Sequence, residues 1–230
     1  MILNAQQIIA ALNSGEISII PFDPAQVQAA SYDLRVGETG ATTTSKKLVN
    51  IREAGFLLLQ PGDFAVLTVF EEMRLDAQHV ARFGLRSKFA RKGLIATTGP
   101  QVDPGYHGRL ILGLTNLTPR SISIPYKDDL ITIEIHRLNE PTDRPYAGPY
   151  QDKLDLGPEE IEAVTETEGM ALPEVITTLR SLSANVGILA SEFKSQRSYV
   201  SNIVGFGIGG MAILIAIIGV LLAVLIEFKH

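Results

Sequence analysis

Leu130-Ile131-Thr132-Ile133-Glu134-Ile135-His136 sets Ile131, Ile133 and Ile135 against Thr132, Glu134 and His136 with a period of two. Successive side chains of an extended chain point to opposite faces, so this run predicts a strand with one face in a core. Outward from it, further short apolar runs occupy 17–20, 56–59, 64–70, 110–114 and 122–124, and Pro61-Gly62-Asp63 separates two of them. Short apolar runs divided by turn residues predict a mainly β fold, a sandwich or distorted barrel. Ahead of the strands, Asn4 is followed by Gln7, with Ile8, Ile9 and Leu12 at helical spacing and Gly15 beyond. That pattern predicts a short capped helix packed on the sheet.

The 230 residues leave room for one domain and an appendage. A formal net charge of -5 gives no basic excess to neutralise a phosphate backbone, so nucleic acid is not an expected partner. With no cysteine, disulfides, thiolate metal sites and a cysteine nucleophile are all excluded. Asn4, Gln6, Gln7 and Asn13 interrupt the first residues, which therefore lack the apolar run of a signal peptide.

After Tyr150 the composition changes. Asp152, Asp155, Glu159, Glu160, Glu162, Glu166 and Glu168, with Gly157 and Pro158 among them, predict a solvated acidic linker, bounded at 154–170. Leu172, Val175, Leu179, Leu182, Val186, Leu189 and Phe193 follow at alternating steps of three and four. This is the seam of a coiled coil, and it predicts an α-helical, self-associating stalk over 171–202. Residues 203–226 are 24 positions without a charge. At about 1.5 Å per residue, such a helix crosses a hydrocarbon core of about 30 Å. One transmembrane helix is expected here, a single-pass tail anchor in a lipid bilayer with the N-terminal domain, 1–153, on the cytoplasmic side. Lys194 and Arg197 on the near side agree with that orientation.

No phosphate loop of the nucleoside-triphosphatase type and no Ser-His-Asp spacing is present. Polar residues cluster instead in Ser31-Tyr32-Asp33-Leu34-Arg35, in Arg86-Ser87-Lys88-Phe89-Ala90-Arg91 and in Val102-Asp103-Pro104-Gly105-Tyr106-His107-Gly108. The second of these can supply charge-assisted hydrogen bonds to phosphate oxygens. In this order the three resemble the motifs of the dCTP deaminase and dUTPase family. Gln28-Ala29-Ala30-Ser31-Tyr32-Asp33-Leu34-Arg35 is similar to the opening motif of its dCTP deaminase-like branch. Arg86 to Gly93 resembles the Arg-Ser-Ser-x-Ala-Arg-x-Gly motif, and Asp103 to Gly108 the Asp-Pro-Gly-aromatic-x-Gly motif. Asn116 also sits where the family has an Asn, and Arg144-Pro145-Tyr146 with Tyr150-Gln151 resembles its C-terminal phosphate-side segment. The resemblance covers about residues 1–153.

The resemblance implies a homotrimer of dUTPase-like distorted β-barrels whose interface sites bind a pyrimidine deoxynucleoside triphosphate, dCTP or dUTP, with Mg²⁺. By position, Arg86, Ser87, Lys88 and Arg91 would form the phosphate side, together with Tyr150 and Gln151. Asp103 would meet the sugar 3′-hydroxyl, Tyr106 the deoxyribose face where a 2′-hydroxyl would clash, and Asp33 would lie near the metal.

Three departures bear on activity. The family's deaminases use a glutamate ten residues after the aspartate of the Asp-Pro-Gly motif as general base, and that position is Gly113. A glycine has no group to take a proton, so the usual deaminase route lacks its base. Lys88 replaces the second serine of its motif, and the stretch from Gly93 to Asp103 is one residue shorter than in typical members. The resemblance also implies a dUTPase-type pyrophosphohydrolase, a branch that does not use that glutamate and in which the aspartate matching Asp103 helps position or activate water for attack at the α-phosphate, beside Mg²⁺. A third expectation is a catalytically inactive nucleotide sensor that signals through its membrane helix.

Overall fold

The computed structural model describes residues 1–166, 178, 181–189, 191, 192, 194 and 219. The chain divides into two units, Met1–Glu174 and Val175–His230.

Helix α1 (Ala5–Ser14) has the expected capping box: Asn4 Oδ1 accepts from Gln7 N at 3.0 Å, and Gln7 Oε1 accepts from Asn4 N at 2.9 Å. Gly15, at φ 78°, ends it in the left-handed region. Ile8 and Ala11 are its buried residues. Strand β1 (Ile17–Ile20) follows, then β2 (Tyr32–Thr42), β3 (Val49–Asn50), the single turn α2 (Ile51–Ala54), β4 (Phe56–Leu59) and β5 (Phe64–Leu75). After these come β6 (His79–Leu85), the single turn α3 (Ser87–Ala90), β7 (Leu94–Ala96), β8 (Gln101–Val102), β9 (His107–Asn116), β10 (Ile122–Pro125) and β11 (Asp129–Arg137).

The strands pair antiparallel in the order β7-β9-β5-β2-β11-β6-β8, with β1 added to β5 and β3 to β2, while β10 and β4 form a separate pair. Ile131, Ile133 and Ile135 of β11 are fully buried and Glu134 is exposed, as the alternation predicts. They meet Tyr32, Leu34, Leu67, Val69, Leu112 and Leu114 in one core. Each such side chain, once buried, contributes about 1.5–3 kcal/mol relative to exposure.

Strand β2 has charged residues in a strand covered on both sides, and each charge has a partner. Asp33, fully buried, receives Arg86 Nη1 on one oxygen and Thr132 Oγ1 at 2.6 Å on the other. Arg35 donates its Nε to Glu71 at 2.6 Å and its backbone N–H to the same carboxylate at 2.9 Å. Burial pushes the Glu71 carboxyl above its usual range, and the Arg35 hydrogen bonds work against that. A Cβ on Gly37 would lie 2.6 Å from Thr68 O, so the close crossing of β2 and β5 requires glycine there.

Residues 154–166 are not a solvated linker throughout. Helix α4 (Pro158–Thr165) forms there, with Pro158 in its first turn and Gly157 N donating to Glu160 Oε2 at 2.7 Å. Its apolar contact decides the matter: Val164 is 1 % exposed and packs with Ala41, Val66, Phe64 and Leu156. The compact unit therefore runs past residue 153.

In the second unit, residues 181–189 are helical, and Leu182, Val186 and Leu189 of the apolar seam are each more than half exposed. No helix among the described residues is long and apolar enough to cross a membrane. The 203–226 stretch lies outside them, apart from Gly219.

Candidate functional site

The turn after β8 organises the site. Asp103 O accepts from Tyr106 N at 3.2 Å, and Gly105 takes φ +84°, a conformation that side chains rarely adopt. A Cβ on Gly105 would also stand 2.5 Å from Pro145 Cβ, because the C-terminal segment lies directly on this turn. Tyr146 N donates to Pro104 O at 2.8 Å, Gln151 Nε2 to Gly105 O at 3.1 Å, and Asp152 N to His107 O at 2.8 Å. Arg109 N then donates to Lys153 O at 2.8 Å. The Tyr106 ring is 5 % exposed and meets Tyr146 edge-on at 5.6 Å, and its hydroxyl donates to Arg109 O at 2.9 Å. Burial raises the Tyr106 phenol well above its ordinary value, so it stays neutral and keeps its proton as donor.

His107 clamps the same segment. Its Nε2 is 2.7 Å from Glu72 Oε1 and its Nδ1 2.5 Å from Asp152 Oδ1. The hydrogen bond to Asp152 raises the imidazole above its usual value; burial opposes this and Glu72 adds to it.

Beside this turn is a cavity of about 410 Å³. Phe83, Val66, Leu110, Tyr106 and Tyr146 give it apolar and aromatic walls, and Thr97, Thr98, Gln101 and Asp103 bring polar groups to it. An apolar enclosure with a few placed polar groups is how small-molecule sites are built. Gly113 belongs to the lining: its N–H donates to Thr98 Oγ1 at 2.6 Å, and a Cβ there would stand 2.5 Å from Thr97 Oγ1. Helix α4 closes another side with Glu159, Glu160 and Ala163. Glu160 is 6 % exposed and ion-paired to Lys153 Nζ. Burial opposes its ionisation, but Lys153 and the Gly157 N–H outweigh that and hold the carboxyl below its usual range.

Of the residues expected from sequence, the structure brings Asp103, Tyr106 and Tyr150 into this cavity. Gln151 is spent on the turn, since its Oε1 also accepts from His107 N at 3.4 Å. Arg86, Ser87, Lys88 and Arg91 lie on and around α3, outside the cavity lining. Arg86 is held by Asp33 and Lys88 by Asp128, while Ser87 and Arg91 are exposed. Both Asp33 oxygens are engaged within the fold. Among the described residues no group of three or more His, Asp or Glu side chains could hold a metal ion, so the donor set does not form a protein metal cage.

Sequence reasoning missed Thr97, Thr98, Phe83 and the α4 residues Glu159 and Ala163. The two threonines carry a signal in hindsight, because they stand in the shortened stretch between two motifs. The carboxylates of α4 were submerged in what reads as a run of solvated charge.

Residues 2–138 match the dCTP deaminase-like family. The dCTP deaminase of Thermococcus sibiricus is 37% identical over 141 residues, covering 61% of this chain and 88% of that one. That of Thermococcus kodakarensis is 35% identical over 141 residues, covering 61% and 89%. Among solved structures, the 2′-deoxycytidine 5′-triphosphate deaminase of Agrobacterium tumefaciens superposes with a TM-score of 0.50 at 21% identity, over 59% of this chain and 47% of that one. The chain thus spans about half the length of that structure, and the likeness shows the fold.

Proposed function

The chain belongs to the dCTP deaminase-like family, and on that premise we propose that it binds a pyrimidine deoxynucleoside triphosphate, dCTP or dUTP, as a membrane-anchored homotrimer. One observation carries this reading: Asp103, Tyr106 and Tyr150, separated by up to 47 positions in sequence, line one apolar-walled cavity. In it the neutral, buried Tyr106 presents a flat ring face to the sugar, and Asp103 accepts from the sugar hydroxyl. The basic segment at α3 lies outside the same cavity, which supports a site completed by a neighbouring subunit's α3 on the phosphates. Mg²⁺ is proposed to arrive on the triphosphate, since the described residues offer no cage of their own.

Gly113 supplies no general base, and Thr97 fills the space of its missing side chain, which weighs against deamination by the glutamate route. Asp103 favours a second reading, hydrolysis between the α- and β-phosphates. Its carboxylate accepts one hydrogen bond from Gln101 Nε2 at 2.7 Å and is otherwise exposed at the cavity, where it can orient and deprotonate a water.

The membrane anchor rests on the 24 uncharged residues of 203–226, and the expected orientation places the N-terminal domain in the cytoplasm. The exposed Leu182, Val186 and Leu189 support three stalks pairing along their seams.

The test is equilibrium binding of dCTP, dUTP and CTP to the full-length protein in detergent with Mg²⁺. Saturable binding of a deoxynucleotide, one per subunit and at least about tenfold tighter than CTP, is the expected result. Equal binding of CTP, or none of the three at millimolar concentration, would overturn it.

A further inference from the structure

All of the cavity's wall but one side comes from the sheet, its connecting turns and the segment docked on them; the remaining side is α4, in a stretch whose sequence reads as linker. Two carboxylates of α4 reach the cavity, and their situations differ. Glu160 is committed: Lys153 Nζ takes one oxygen and Gly157 N the other. Glu159 has no hydrogen bond or ion pair among the described residues. Asp103 is already hydrogen-bonded to Gln101. Of the three carboxylates at the cavity, Glu159 is the one with no partner among the described residues on either oxygen, since Asp103 has one oxygen engaged and Glu160 both.

We propose that Glu159 is a specificity-determining residue of the nucleotide site, whose carboxylate accepts a hydrogen bond from the exocyclic amino group of the base and so selects an aminopyrimidine over a pyrimidinedione. This rests on the nucleotide reading of the same cavity. Glu159 is exposed, and an exposed carboxylate is hydrated in solution. A ring that enters displaces that water, and the carboxylate must then find a donor or stand desolvated and unpaired. An amino group on the base meets the need with a charge-assisted bond. A carbonyl at the same ring position sets one acceptor against another, which is repulsive, so the discrimination has both an attractive and an opposing part.

The test compares wild type and Glu159→Gln, both full length, for equilibrium binding of the α,β-imido analogues of dCTP and dUTP, which resist hydrolysis. Wild type is expected to favour the cytosine analogue by about tenfold or more. In Glu159→Gln the two affinities should converge to within about threefold, chiefly through tighter binding of the uracil analogue, because a side-chain amide can donate to the carbonyl as well as accept from the amine. The unliganded melting temperature should not move, since Glu159 is exposed. Equal binding of both analogues by wild type, or the same preference in the variant, would overturn the role of Glu159 while leaving nucleotide binding intact. Binding of neither analogue by the folded wild type would overturn the nucleotide reading and this inference with it.

Discussion

Thr97 Oγ1 stands 2.5 Å from the position a Cβ on Gly113 would take, so a hydroxyl from the turn after β7 occupies the side-chain space of residue 113. Phe64 Cε2, at 3.2 Å from the same point, closes the other side. Gly113→Ala is therefore expected to destabilise the domain by about 1–3 kcal/mol through overpacking. Adding Thr97→Ala should recover most of that loss, as read by denaturant unfolding of the two variants. A neutral Gly113→Ala would mean that the turn moves aside freely.

Burial makes Arg35 and Glu71 unequal to remove. The Glu71 side chain is fully buried and that of Arg35 is 14 % exposed. Arg35→Met leaves a buried carboxylate without its cation and is expected to cost about 3–5 kcal/mol. Arg35→Met with Glu71→Leu removes both charges and should be markedly less destabilised than the single variant. The double-mutant comparison by chemical denaturation checks this, and additive losses would contradict it.

The raised value of His107 gives a pH dependence whose sign follows from linkage. A group bound more tightly to its proton in the folded state stabilises fully below its unfolded value, about 6.5, and that stabilisation is lost as pH rises through the higher folded value. The melting temperature of wild type should exceed that of His107→Gln most at about pH 6, with the gap narrowing toward alkaline pH. A gap that widens with pH would contradict the double carboxylate clamp.

Much of the strand framework was readable because apolar runs and turn residues alternate there; β11 and the Asn4–Gln7 capping box are the clearest cases. Strand β2 was not readable as a long strand. Its Asp33 and Arg35 are tolerated only through Arg86, Thr132 and Glu71, which are distant in sequence, and Gly37 is there for a crossing that only the fold creates. The site was readable in part: Asp103 and Tyr106 lie within one motif, whereas Thr97, Thr98 and Glu159 reach the cavity by packing. Helix α4 was hidden for the same reason, since one buried Val164 and the Lys153–Glu160 pair outweigh a local composition that favours solvent.

Release of pyrophosphate from the bound deoxynucleotide, assayed with both dCTP and dUTP in the presence of Mg²⁺, is the activity proposed for Asp103. In Asp103→Asn the rate is expected to fall by at least about 100-fold, the usual consequence of losing a positioned base. Chromatographic separation of the nucleotide products measures it, and an undiminished rate would remove Asp103 from the reaction.

The most direct test of the central claim, that this cavity is a pyrimidine deoxynucleotide site, is the ligand-induced shift in melting temperature of the full-length protein, compared with Asp103→Ala. A ligand present at about 100 times its dissociation constant stabilises the folded state by about 2.7 kcal/mol. A shift of several degrees is expected with dCTP or dUTP and Mg²⁺ in wild type, and its loss in Asp103→Ala at the same nucleotide concentration. A folded wild type that does not respond at millimolar nucleotide, or a variant that responds equally, would contradict it.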